Sequence, residues 1–382
     1  MLLITGDETG LLKVIQPETG DVLQVDGRDE QCRERGIVGL TWTGGSTYDR
    51  FHAVRACNVV ESWDLDKGEH CRLSQGSEEV ECSDGSADIV TVQAGSNPFV
   101  VAVSTKGECT MVEEAEDGYG EEVKQFPVPG PITAVCGRDG HLAVGGREND
   151  LSVWDVSTEK CSWKARNVPM EVQLQLRVPV WVTTICSLRP SEEGLNHLVT
   201  GTAYHQVRIY DTHAKRRPVS SLDHGEYRIT AMATTPTGND AIIGDAAGTL
   251  SCLDLRTMKP RRRYVGPAGS IRSIAVHPTL PIVAAVGLDR MLWMFDINSG
   301  KLKHKVYLNQ RINSVLFSAE EEIDGKGGGE EEEAVEEYEM GSGSSDEGSF
   351  SEEDIDDEED EDERNGERRE DFDRRKRFKK TR

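Results

Sequence analysis

One phrase recurs seven times between Leu3 and Asp296, and it leaves few folds open. An apolar triplet and a small residue lead into a polar turn; an alternating strand follows, often closing on an aromatic residue and Asp. The copies open at Leu3, Ala53, Val100, Leu142, Leu198, Ala241 and Val283, and five of them close on Asp64, Asp155, Asp211, Asp254 and Asp296. Alternation with period two marks half-buried strands. Asp211 to Asp254 is 43 residues and Asp254 to Asp296 is 42, within the roughly 40–45 residues of a four-stranded propeller blade. Asp155 to Asp211 is 56 residues, so that unit carries an insertion. Asp64 to Asp155 is 91, which is two units with a degenerate third copy between them. Seven copies at this period predict a seven-bladed β-propeller of the WD40 type.

A short apolar segment precedes each copy but one, as an innermost strand would. It appears at 37–40, 89–92, 132–135, 182–185, 229–232 and 271–276. A seventh, 312–317, has no strands after it, while the first copy has no such segment before it. Each supplies what the other lacks. The C-terminal segment is therefore expected to complete the first blade, closing the ring and removing two sheet edges that would otherwise invite foreign pairing. The propeller then spans 1–318, and truncation before Ile312 is expected to open it.

Charge divides the remainder. The formal net charge is -25, yet 319–363 hold 24 Asp/Glu against one Lys, and 364–382 hold ten Lys/Arg against four acids. Within the body, 1–197 carry 17 Lys/Arg against 33 acids, whereas 198–318 carry 16 against eight. An acidic half and a basic half imply two binding environments. The stretch 319–363 cannot bury enough apolar area to offset ordering entropy and reads as a disordered acidic spacer. Ser344, Ser349 and Ser351 each have an acid three residues on, which suits acid-directed kinases. In the basic tail, Arg374, Arg375, Lys376, Arg377, Lys379 and Lys380 read as a nuclear or nucleolar localisation signal, or as an RNA phosphate contact.

Nine cysteines is an odd number, and none lie in CxxC or CxxxC pairs. Disulfide frameworks and zinc sites are disfavoured, and the compartment reads as reducing, cytosol or nucleus. No run of about 18 apolar residues exists, so no membrane span is expected. The start, from Met1 to Asp7, reads as a strand and turn rather than a signal peptide. There is no G-x-S-x-G, no phosphate-binding loop, no His-rich metal spacing and no dinucleotide turn. The sequence therefore predicts neither an enzyme nor a cofactor. Asp7, Asp245 and Asp289, in tight turns, and Trp63, Trp154 and Trp293, at strand ends, read as structural.

Three stretches are more specific than the generic blade phrase. They are the insertion, from Asn167 through Leu176, Arg177 and Val178 to Trp181; the run from His205 to Asp211 followed by Arg216 to Val219; and His304 to Leu308 after Gly287 to Arg290. Together they resemble the WD-repeat assembly factors of the large (60S) pre-ribosomal subunit, the Nop-seven-associated proteins of fungi and their WD-repeat animal counterparts. The resemblance covers most of 1–318. It implies a nucleolar, non-enzymatic scaffold in ribosome biogenesis and rRNA processing, monomeric within a large assembly. Its implied partners are pre-60S assembly factors and pre-rRNA, with an AAA-ATPase and an exosome helicase contacting the family's tail. A nuclear WD40 adaptor, such as a ubiquitin-ligase receptor or a histone-binding chaperone, is the alternative.

Candidate contacts follow from chemistry. Alternation puts Arg208 and Tyr210 on one face and Val207 and Ile209 on the other; Arg208 is either paired with an Asp of the neighbouring blade or a partner contact, since buried charges are normally paired. His205 occupies the preceding turn. Lys215, Arg216 and Arg217, and Arg261, Arg262 and Arg263, read as linkers after two successive blades whose charges would merge into one phosphate-binding rim patch. Arg177 and Trp181 flank Pro179, and an exposed Trp beside Arg makes a protein hot spot. Arg290 and Lys305 complete the candidates.

Overall fold

A computed structural model describes residues 1–27, 31–42, 50–57, 59–65, 69–72, 86–94, 97–114, 120–169, 178–188 and 194–318, leaving aside the side chains at 24, 69–72, 86–94, 97–98, 113–114 and 120–123. Its strands fall into seven four-stranded antiparallel sheets. Blade 1 begins the chain with β1 (Leu3–Asp7), β2 (Leu12–Gln16) and β3 (Asp21–Asp26). Blade 2 is β4 (Ile37–Trp42), β5 (Arg50–Arg55), β6 (Val60–Asp64) and β7 (Glu69–Arg72). Blade 3 is β8 (Ser86–Ala94), β9 (Asn97–Ser104), β10 (Glu108–Glu114) and β11 (Gly120–Pro127). Blade 4 is β12 (Ala134–Arg138), β13 (His141–Gly146), β14 (Asn149–Asp155) and β15 (Lys160–Lys164). Blade 5 is β16 (Val182–Ser187), β17 (His197–Thr202), β18 (Gln206–Asp211) and β19 (Ser220–Asp223). Blade 6 is β20 (Ile229–Thr234), β21 (Asp240–Asp245), β22 (Leu250–Asp254) and β23 (Lys259–Tyr264). Blade 7 is β24 (Ile271–Val276), β25 (Ile282–Gly287), β26 (Met291–Asp296) and β27 (Leu302–Tyr307). The last strand, β28 (Ile312–Phe317), returns to blade 1.

That return closes the ring. β28 pairs antiparallel with β1, with Leu3 opposite Phe317 and Thr5 opposite Val315. The Ser318 amide donates to the Leu2 carbonyl (2.9 Å) and the Glu8 amide to Arg311 (3.0 Å), so both ends of the added strand are tied. The innermost strands meet in the order β28, β4, β8, β12, β16, β20, β24 and again β28.

The apolar residues form seven layers, one between each pair of neighbouring blades. Leu3, Ile15 and Phe317 of blade 1 pack on Ala284, Leu292 and Met294 of blade 7; Leu250 and Tyr264 of blade 6 pack on Val283 and Phe295 of blade 7. This geometry explains the small residue of the repeat. A Cβ on Gly201 would stand 2.7 Å from Ile229, and one on Gly244 2.8 Å from Ile271. At Gly6, Gly145, Gly201 and Gly244 the β-branched residue that leads the following inner strand (Ile37, Val182, Ile229, Ile271) fills the space left by the missing side chain. The turn after it is fixed by its polar residue: Asp7 Oδ1 accepts the Thr9 and Leu11 amides, and Asp245 Oδ1 those of Ala247 and Thr249. Asp289 accepts the Met291 amide and the Trp293 indole, the latter at 2.6 Å. These acids are structural, as the sequence predicts.

Two details differ from the sequence reading. The innermost strand of blade 4 starts at Ala134 rather than Ile132, because the Ile132 amide bonds to Thr105 of blade 3 (2.9 Å) instead of to its own sheet. Arg261, Arg262 and Arg263 lie in β23, the outermost strand of blade 6, and not in a linker. Bonding of Leu250 to Tyr264 and Ser251 to Arg263 carries the sheet that far out.

Candidate interaction surfaces

Hydrogen bonds between loops define one rim of the propeller. The turns joining the second and third strands of a blade bond to the connections between blades: Glu148 N–H to Val180 (2.8 Å), Ala203 to Trp181 (2.9 Å), His224 to His205 (2.6 Å) and Leu308 to Arg290 (2.9 Å). Over blades 4 to 6 this rim carries exposed cationic and aromatic groups. The Arg147 guanidinium lies 5.2 Å above the ring of half-buried Trp181, and the two residues share a β-bridge. Tyr204 and Tyr227 stand exposed beside them, with Arg228. His205 holds a left-handed backbone, φ 49°, and its Nδ1 is buried without a hydrogen bond. Trp181 and His205 thus come together on one rim. Arg177 lies outside the described residues, as do Arg374, Arg375, Lys376, Arg377, Lys379 and Lys380.

Arg208 is not on that surface. It is 2 % exposed; its Nε and Nη2 donate to Gln206 Oε1 (3.2 and 2.6 Å) and its Nη1 to Asn167 Oδ1 (3.3 Å). The pairing expected from an Asp of the neighbouring blade is made by an Asn in the connection that leaves blade 4. Asn167 also donates to the Val178 carbonyl (2.6 Å), so Arg208 sits under the root of the insertion and fixes both its ends. The role is anchoring rather than contact.

The basic clusters lie on the outer flank, in two places. Lys215, Arg216 and Arg217 are exposed in the connection between β18 and β19, inside blade 5 and not in a linker after it, because the fourth strand of the sheet follows them. Arg216 reaches back to blade 4: its Nε donates to the Lys164 carbonyl (2.6 Å), and its own carbonyl accepts from Arg166 (2.7 Å). Arg262 reaches forward to blade 7, where its Nη1 donates to the Ile297 carbonyl (2.9 Å) and to that of Asn298. Arg261 pairs with Asp240 (2.7 Å), and Arg263 is exposed with no ion pair among the described residues. The clusters are held by opposite neighbours, blade 4 for the first and blade 7 for the second. Lys305, on β27, holds its ammonium 4.4 Å from the centre of the Trp293 ring. Arg290 is exposed in the turn before β26 with φ 63°.

Sequence reasoning also missed a cleft of 810 Å³ on the opposite rim between blades 4 and 5. It is lined by Asp139, His141, Asp155, Trp163, Asn196 and His213. Partial burial works against the charge of Asp155, but hydrogen bonds from Thr158 and Ser157 and the nearby His141 outweigh it and hold the carboxyl below its ordinary range. The cleft is built from turns of two blades, around Gly140, Ser157, Leu195 and Thr212, so no local pattern announces it. Among the described residues no three His, Cys, Asp or Glu side chains gather to hold a metal ion. No helix of the described residues is long and apolar enough to cross a membrane.

No protein-family model matches the chain. Curated relatives do. WD repeat-containing protein 74 of Homo sapiens is 32 % identical over 320 residues, covering 82 % of this chain and 80 % of that protein. The Mus musculus protein of the same name is 34 % identical over 325 residues, with the same coverage. The chain belongs to the WD repeat-containing protein 74 family. Ribosome biogenesis protein nsa1 of Schizosaccharomyces pombe, 25 % identical over 363 residues, covers 85 % of this chain and 90 % of its own length. The kinship covers more than four-fifths of the chain.

Proposed function

We propose that the chain is a non-enzymatic scaffold of ribosome biogenesis that docks assembly factors and pre-rRNA on precursors of the large (60S) subunit. The observation that carries this reading is the kinship, over more than four-fifths of the chain, with a fungal protein named for ribosome biogenesis. A propeller with an aromatic, cationic rim and two basic flanks is consistent with it, because aromatic and Arg side chains anchor protein contacts and Lys/Arg clusters meet phosphate. On this reading 1–318 bind, 319–363 act as an acidic spacer, and 364–382 direct the chain to the nucleus and nucleolus. The tail is also where an AAA-ATPase and an exosome helicase would engage, and the chain is monomeric within the particle.

Sedimentation tests it. Tagged chain is expected to co-migrate with nucleolar large-subunit precursors on a sucrose gradient and to bring down their assembly factors. Recovery with histones or a cullin, and absence from precursor fractions, would overturn it. A fluorescent fusion with Arg374 to Arg377 and Lys379 to Lys380 changed to Ala should lose its nucleolar signal.

A further inference from the structure

The flank between blades 6 and 7 carries a dense run of positive charge. Residues 259–270 and 297–311 carry eight Lys/Arg and not one Asp or Glu. The first segment is β23 with the connection that follows it, the second the turn into β27, β27 itself and the connection to β28. They meet across one groove. Arg262 lies over the turn at Gly300 and is held to it by the Ile297 and Asn298 carbonyls. Only Nη1 is spent on those bonds, so the other N–H groups of the guanidinium keep their capacity to donate. Gly266 passes so close to the Trp293 ring that a Cβ there would stand 2.5 Å from it. Lys305 covers the same ring.

Tyr307 supplies the second, independent observation. It lies two residues beyond Lys305 with no irregularity of register between them, since Trp293 faces Lys305 and Met291 faces Tyr307; the two side chains therefore share a face. Its intervening neighbour Val306 is buried towards blade 1, yet Tyr307 is 56 % exposed. Arg290 precedes Met291 and its carbonyl holds the Leu308 amide, which sets it next to Tyr307 at the rim. Val265, 82 % exposed, forms an apolar lip on the other side. Asp289, the carboxylate beside Arg290, is spent on the Met291 amide and the Trp293 indole, and an exposed ring among cations is the arrangement that takes a base by stacking and its phosphates by charge. Duplex has its bases already stacked on one another and offers nothing to the ring.

We propose that this groove binds single-stranded RNA, stacking a base on Tyr307 and taking phosphates on Arg262, Lys305 and Arg290. The inference deepens the pre-rRNA contact of the preceding reading and rests on it for biological context. It is tested on the purified full chain by fluorescence anisotropy with a labelled single-stranded RNA of about 20 nucleotides, and with the same strand in duplex. Tyr307→Ala is expected to weaken single-strand binding by roughly tenfold, and Tyr307→Phe, which keeps the ring, to restore it. Lys305→Glu with Arg290→Glu should weaken binding and flatten its dependence on log salt, while Arg33→Glu, in the connection between blades 1 and 2, should change neither. Equal affinity of wild type and Tyr307→Ala, or duplex bound as tightly as single strand, would overturn the groove. If that happens while the wild-type chain still co-sediments with precursors, only the groove fails. RNA binding by a chain that never enters those fractions would instead sink the scaffold.

Discussion

Arg208 keeps a full charge inside the protein by facing amide oxygens, and the arrangement has a measurable consequence. Removing it leaves Gln206 Oε1 without its donor, takes from Asn167 Oδ1 one of its two donors, the Val168 amide being the other, and frees the root of the insertion. Arg208→Ala should cost about 2–3 kcal/mol of stability in urea unfolding, the scale of an unpaired buried group. Arg208→Lys should recover little, because an ammonium cannot span both partners as the planar fork does. His52 makes the contrasting case. Burial, aided by Arg50, lowers its pKa to about 3 from an ordinary 6.5. The unfolded chain therefore binds a proton between these values that the folded chain refuses, so stability falls as pH drops below 6.5. The slope is about 1.4 kcal/mol per pH unit, or about 2 kcal/mol by pH 5. Unfolding measured at pH 7.5 and pH 5 should show this loss in wild type and much less of it in His52→Gln. Neither residue was fully legible beforehand: alternation puts Arg208 on a face, but what covers that face is Asn167, 41 residues earlier in the chain.

At the scale of the strand, the repeat was readable because each part of it answers a local requirement. An inner strand needs a β-branched lead residue, the strand before it needs a glycine to receive that residue, and the turn needs an acid or hydroxyl. The outermost strands were not readable, since they meet only one neighbour in the sheet and need no apolar phrase. Lys259–Tyr264 is the clearest instance: three arginines in a row look like a loop and are a strand. Gly201→Val should force Ile229 aside and cost about 1–3 kcal/mol, as overpacking does, with the melting temperature as readout. The closing strand should matter more. A chain ending at Arg311 loses the whole partner of β1 and exposes Leu3 and Ile4, whereas one ending at Ser318 keeps the ring. The shorter chain is expected to unfold without a sharp transition and to aggregate. The longer one should melt like the full protein, and equal melting of the two would contradict the closure.

For the molecule as a whole, the sequence showed a basic second half but not how its charge is distributed, because that depends on which neighbour each arginine chooses. Arg216 turns to blade 4 and Arg262 to blade 7, and this choice can be tested without locating a ligand. Substitutions at sites without shared partners act independently, so their free energies add. Reversing Lys215, Arg216 and Arg217 should change RNA affinity by one factor, and reversing Arg262 and Lys305 by another. Both sets together should then give the product of the two factors, within about twofold. A single continuous patch behaves differently, since the first reversal already repels the strand that the second set would hold, and the combined loss falls short of the product. Raising the salt should shrink both factors, because each reflects released counterions. It should not alter their independence. Affinities measured at two salt concentrations for the four proteins therefore separate two flanks from one, and a combined loss well below the product would return the molecule to a single patch.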